Sequence, residues 1–141
     1  MRIVMHSEFD LTVGDFHSPE LEVDVDEHAH VHFSALQMFA TSLALCTASV
    51  LLGYGEQLGI GTHALRIRVR WEVDEKPRRI RRVEMDIEWP GLPTSRLAAA
   101  KRAAAHCTLH NTLQHSTTVE TRVTAPEQPA PTEAEHAEER R

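Results

Sequence analysis

Two cysteines and a scatter of histidines are the residues whose types and spacing could carry chemistry. Cys46 has Phe39, Ser42, Leu43, Ser49, Val50 and Gly53 at helical spacing. In that company it reads either as a small buried hydrophobe or as a nucleophile held in an apolar site. Cys107 follows His106 and precedes His110, at a point where one helical pattern stops and another starts. A helix N-terminus and a neighbouring imidazolium both favour thiolate, the form that attacks. The run His28-Ala29-His30-Val31-His32 invites a metal. On a strand its imidazoles would share one face, ~6.5–7 Å between neighbours and ~13 Å between the outer pair, too far for one ion. The plainer reading is a polar segment leading into the next helix. Cys107-x-x-His110 has ligand-like spacing, but a single pair does not make a zinc site. No metal site and no cofactor are expected. No phosphate-cradling glycine loop and no G-x-S-x-G elbow occur, and Gly59-Ile60-Gly61 reads as helix termination.

Those residues must be positioned by a chain of 141 residues, long enough for one domain with its own core. The net charge of −6 and the 5% aromatic content argue against nucleic-acid binding. Two cysteines without a C-x-x-C exclude a disulfide-dense secreted scaffold. The N-terminus lacks an apolar signal region, so the expected compartment is the cytoplasm. Phe33–Gly55 is uncharged and approaches the length of a bilayer span. Ser34, Gln37, Thr41, Ser42, Thr47 and Ser49 dilute it, and no basic cluster flanks it, so a buried core helix is expected and no membrane span.

Arg2–Met5, Glu8–Val13 and Leu21–Val25 read as short strands in an acidic N-terminal region. Residues 65–89 alternate with period two. Leu65, Ile67, Val69, Trp71 and Val73 share one face, as do Val83, Met85, Ile87 and Trp89. An antiparallel hairpin turning near Pro77 sets Arg66 against Glu88, Arg68 against Asp86, Arg70 against Glu84 and Glu72 against Arg82. It also pairs Ile67 with Ile87. The arginine-rich look of this stretch is therefore the solvated face of a hairpin. A second helix starts at Pro93-Thr94-Ser95, with Thr94 or Ser95 as N-cap, and continues through RLAAAKRAAAH. A separate short helical turn follows Cys107, and Ser116–Thr124 reads as a final strand. The fold class is α+β with antiparallel pairing over residues 1–124. Residues 125–141, rich in Pro and Glu, are expected to form a disordered tail.

The order of a long apolar helix (SALQMFATSLALCTASVLLGYGEQLGI), a hairpin, an Ala-rich helix ending in AAAHCTLHNTL and a last strand resembles the OsmC/Ohr family of thiol-dependent hydroperoxide reductases. The resemblance implies an OsmC-like fold, antiparallel strands wrapped around a long central helix in an intertwined homodimer. It implies that Cys46 is peroxidatic and that Cys107 resolves it. The cycle would run from sulfenic acid to a disulfide, reduced by a small or protein dithiol, with organic hydroperoxides as substrate. Two family features are missing. Leu36 stands where the family has a Glu in a stretch like N-P-E-x-L, beside Gln37, and the only basic residue before Cys46 is Arg2. Imidazoles of His30, His32 or His106 are the candidate stand-ins for the family's Arg. The alternative is an OsmC-like dimer without peroxidase activity that binds a small ligand or a metal.

Overall fold

The computed structural model describes residues 1–27 and 32–125. His28 and His30 of the histidine run lie outside the described residues, as does the tail beyond Ala125.

The chain forms β1 (Arg2–Ser7), β2 (Asp10–Gly14), β3 (Glu22–Val25), α1 (Ala35–Leu58), β4 (Arg66–Glu75) and β5 (Arg78–Glu88). A 3-10 turn (Thr94–Arg96), α2 (Leu97–Ala105) and α3 (Thr108–Gln114) follow. One five-stranded sheet runs β3-β1-β2-β4-β5. The β4–β5 register matches the alternation, from Arg66↔Glu88 through Trp71↔Val83 to Glu72↔Arg82. It then slips at a bulge between Glu72 and Val73, so that Val73 faces Ile80. The fold is α+β, but the sheet is mixed. β3 runs parallel to β1, Arg2 facing Glu22 and Met5 facing Val25. β2 ends with Gly14 beside Arg2, at the start of β1. The short link Asp15–Leu21 crosses to the other edge of β1 at that same end, so β3 must run alongside β1 in its direction. The Met1 ammonium fixes the crossing by donating to the carbonyl oxygens of Ser18 (3.1 Å) and Glu20.

Within one chain the strands do not encircle α1; they cover one side of it. Ile3, Met5, Leu11, Val13, Ile67, Val69 and Trp71 from the sheet meet Ala40, Ala44, Ala48 and Leu51 of α1 in a single core. Alanine at the helix positions lets its backbone approach the sheet closely. The opposite face, with Met38, Ser42, Leu45 and Ser49, is exposed. α1 is long and apolar enough to cross a membrane, with mean hydropathy 1.7 in its most apolar stretch, but here it packs on the sheet.

Local chemistry sets the helix ends. Ser34 and Gln37 form a capping box at the start of α1, with the Ser34 N–H donating to Gln37 Oε1 at 3.0 Å. Gly59 ends the helix at φ 66°, a left-handed conformation that glycine adopts without strain. α2 departs from expectation. Neither Thr94 nor Ser95 caps it. They lie in the preceding 3-10 turn, and Arg96 takes the cap position without a side-chain bond. Ala100 and Ala104 of α2 are buried beside α1. The expected last strand is also absent. Residues 116–125 have no regular structure and are exposed, Val119 at 83% and Val123 at 92%. β-branched residues favour a strand only where another strand pairs with them, and among the described residues none does.

Candidate active site

Cys46 lies on the flank of α1, between the face buried on the sheet and the exposed face, and is half-buried. Cys107 is fully buried and occupies the N-cap position of α3. Between α2 and α3 the chain turns sharply, with His106 N–H donating to Ala103 O at 2.9 Å and Cys107 N–H to Ala104 O at 3.3 Å. α3 then starts with Asn111 N–H donating to Cys107 O at 3.0 Å. The turn sets α3 against α1 and makes the two sulfurs neighbours. Residues 61 positions apart thus share one site, and both thiols are free.

The two sulfurs sit in different electrostatic surroundings. Burial pushes the Cys46 thiol up, and the adjacent Cys107 sulfur adds to this, against the weaker influence of the Leu109 and Thr108 N–H groups. For Cys107 burial is again the largest single influence and also pushes upward. It is outweighed by the neighbouring Cys46 thiol, the His110 N–H, the Thr47 hydroxyl and the Leu109 N–H, whose influence brings the Cys107 pKa below the ordinary thiol value. Thr47 is fully buried, and its hydroxyl also lies 3.8 Å from Met85 Sδ on β5.

A groove of about 250 Å³ lies between α1, β5 and α3, with neither cysteine in its lining. Leu43, Val83, Met85 and Leu113 supply its apolar wall, and His110, Arg81 and Arg82 its polar one. Leu43 is one turn from Cys46 and Thr47 on α1, and His110 one turn from Cys107 on α3, so the groove reaches both cysteines' helices.

Other residues singled out from the sequence lie elsewhere. Arg2 is on the outer face of the sheet, bonded through Nε to Asp24 Oδ2 at 2.7 Å. Leu36 packs against the core. Gln37 is buried but structural, since its Nε2 donates to Glu8 O at 2.7 Å and its oxygen serves the capping box. His32 and His106 are exposed, and neither is among the groups acting on the cysteines. His110 acts through its backbone N–H and as part of the groove wall. Among the described residues, no cluster of three or more His, Cys, Asp or Glu could hold a metal. Sequence reasoning singled out the helix start at Cys107 but missed Thr47. Thr47 directly follows Cys46, but in the sequence it registers only as a polar interruption of an apolar run.

This combination of fold and cysteine pair defines a class of protein. The family model for OsmC-like proteins matches residues 14–122, and the chain belongs to the OsmC-like family. Among solved structures it is similar to an OsmC-like hydroperoxide resistance protein from Jannaschia sp. CCS1. The two are 20% identical with a TM-score of 0.54, over 67% of this chain and 69% of that one. No curated protein matches the chain.

Proposed function

We propose that this protein is a thiol-dependent peroxidase that reduces organic hydroperoxides through Cys46 and Cys107. One observation carries the reading: a half-exposed cysteine on α1 adjoins a fully buried one at the start of α3. Cys46 is the sulfur a peroxide can reach. Its attack on the terminal oxygen of R–O–O–H forms an S–O bond and breaks the O–O bond, leaving a sulfenic acid and an alcohol. Cys107 then displaces hydroxide from that sulfur, and the disulfide is reopened by an external dithiol. The groove walled by Leu43, Val83, Met85 and Leu113 suits the organic part of the substrate better than hydrogen peroxide, which has none. A reducing compartment such as the cytoplasm would keep the thiols available.

The working unit in this reading is a homodimer. Met38, at 58% exposure, and Leu45, at 43%, lie on the uncovered face of α1. Leu113 of α3 and the unpaired segment with Val119 and Val123 are exposed as well. A second copy covering this face would bury surface that a lone chain leaves in water.

A second reading rests on the position of Arg2. It is bonded to Asp24 on the sheet's outer face, and Leu36 is in the core, so neither polar residue expected from the family resemblance is at the pair. In that reading the dimer binds a small ligand or a metal without turnover. Turnover of cumene hydroperoxide and hydrogen peroxide with a dithiol reductant separates the two. Preference for the organic peroxide, abolished by Cys46→Ser, supports the peroxidase. A folded wild-type protein with free thiols and no turnover overturns it.

A further inference from the structure

Away from the cysteines, three side chains from neighbouring strands meet on the outer face of the sheet, the side that α1 does not cover. His6 is the extra residue of a bulge in β1, between Met5 facing Leu11 and Ser7 facing Asp10. Bulges of this kind re-aim a side chain. The His6 imidazole spans two partners, with Nδ1 2.6 Å from Asp26 Oδ2 and Nε2 2.8 Å from Thr12 Oγ1. Asp26, just past β3, is fixed beside it by its own N–H, which donates to Met5 O at 3.0 Å. A carboxylate only accepts, so Asp26 takes the Nδ1–H. In the neutral ring Nε2 is then left to accept the Thr12 O–H. A hydroxyl on a base that a third group orients is the arrangement that activates an oxygen nucleophile. His6 and Thr12 also line a groove of about 650 Å³ on this face. Gly14, the next outward residue of β2, has no side chain to fill it, and the Arg66 stem passes over it, its Cγ 3.3 Å from where a Cβ would lie. Among the described residues Arg66 forms no ion pair, whereas Arg68 beside it is committed to Asp10. Asp15, Glu22 and Glu88 line the same groove, so it suits a neutral molecule better than an acid or a phosphate.

We propose that this groove is a second active site, in which Thr12 is an acyl-transfer nucleophile, His6 its base and Asp26 the positioning residue, and that it hydrolyses small neutral carboxylic esters. The step balances. Thr12 Oγ forms a bond to the ester carbonyl carbon while its proton passes to His6 Nε2, and the carbonyl π pair moves onto oxygen. Arg66 supplies the cation of the groove wall for that oxyanion. The carbonyl re-forms, the C–O bond to the alcohol breaks, and the alcohol leaves with the proton from His6. Water, giving a proton to His6, then attacks acyl-Thr12, and the acid is released as Thr12 takes the proton back. No oxidant or reductant enters and neither cysteine takes part, so the proposal stands independently of the peroxidase reading.

The test is labelling of the full chain with a fluorophosphonate, a probe of activated hydroxyls, followed by peptide mass mapping. An adduct on Thr12 is expected in the folded protein and not in urea. Thr12→Ser should keep the adduct at that position. His6→Gln should slow labelling by a factor on the order of a hundred. Asp26→Asn should slow it as well, with partial recovery in Asp26→Glu. Hydrolysis of p-nitrophenyl acetate gives a second readout. Wild type and Thr12→Val carry the same cysteines, so the difference between them is the share due to Thr12. A role for His6 in tying the strands together, and nothing more, would lower the Tm of His6→Gln while wild-type Thr12 stays unlabelled. Folded wild-type protein with no adduct on Thr12 overturns the proposal. So does labelling at full rate in His6→Gln, or ester hydrolysis unchanged in Thr12→Val.

Discussion

Arg68 holds Asp10 with two arms, Nε to Oδ1 at 2.9 Å and Nη2 to Oδ2 at 2.5 Å, although the β4–β5 register sets Asp86 directly opposite it. Asp86 is taken instead by Arg70, at 2.5 Å. The contact ties β2 to β4 at the centre of the sheet, and bidentate geometry makes it stronger than a single-armed surface pair. The Arg68 hydrogen bond holds the Asp10 carboxyl below its ordinary pKa, against partial burial. The sign follows. Asp10 binds its proton less tightly in the folded state, so its contribution is fully present above the unfolded pKa of about 3.9 and is lost as pH falls through the lower folded value. Asp10→Asn is expected to cost no more than about 1 kcal/mol at neutral pH, since Arg68 is partly solvated. Urea denaturation below about pH 4 should show the gap to wild type closing. A gap that widens on acidification would contradict this.

Gln37 invites a catalytic role, because it stands beside the position where the family resemblance places a carboxylate. Its contacts argue for a structural one. It accepts from the Ser34 N–H and donates to Glu8 O, which joins the start of α1 to the β1–β2 turn. Gln37→Leu should leave both groups without this partner and lower stability by about 1–3 kcal/mol. In conditions where the variant is folded, its kcat/KM for hydroperoxide should match wild type. Full stability with lost turnover would place Gln37 in the site after all.

Gly55 is a second position where structure, not chemistry, fixes the residue. A Cβ there would lie 2.6 Å from Thr62 Cγ2 and 2.9 Å from Trp89 Cζ2. Trp89 is itself anchored by Nε1 donating to Gly61 O at 2.9 Å, so it cannot retreat without breaking that bond. Gly55→Ala gains helix propensity of about 0.5–1 kcal/mol but overpacks a buried contact at a cost of about 1–3 kcal/mol. Thermal denaturation should show a lower Tm. An unchanged or raised Tm would mean that the loop holding Thr62 yields easily.

The residues used in these arguments differ in how far the sequence revealed them. The β4–β5 register was legible because charges alternate with apolar residues on both strands, and one register matches both faces. The bulge at Glu72/Val73 was not, because Arg78, Arg79, Arg81 and Arg82 satisfy a charge pattern equally well one residue out of step. The Arg68–Asp10 contact depends on β2 lying beside β4, and the parallel course of β3 depends on where β2 ends. Neither is a local property. The same holds at the site. Both cysteines stood out by type, and Cys107 by its position at a helix start, but nothing in a separation of 61 residues brings them together. Thr47 meets Cys107 only once α3 docks on α1, which is why it passed unnoticed, and His32 and His106 are exposed.

The adjacency of the cysteines makes a direct prediction for the oxidised protein. One equivalent of organic hydroperoxide should convert both free thiols into a disulfide between Cys46 and Cys107 within one chain. Peptide mass mapping under non-reducing conditions checks this. The bond requires Cα atoms within about 7 Å or a small shift of α3, a short helix with no buried residue of its own. A mixed disulfide between chains, or sulfinic acid on Cys46 without a disulfide, would sink the two-cysteine cycle.

Alkylation of the reduced protein reports where the charge lies. Iodoacetamide needs both access and thiolate. Cys46 is within reach but holds its proton, with its pKa raised first by burial and then by Cys107. Cys107 is sealed from solvent. Modification at pH 7 should therefore be slower than that of a simple thiol. It should fall on Cys46 first, with a rate that climbs through a midpoint above the free-thiol value of about 8.5. In urea both cysteines should react alike, with midpoints near that free-thiol value. Fast labelling of Cys46 in the folded protein at pH 7 would place the charge on Cys46.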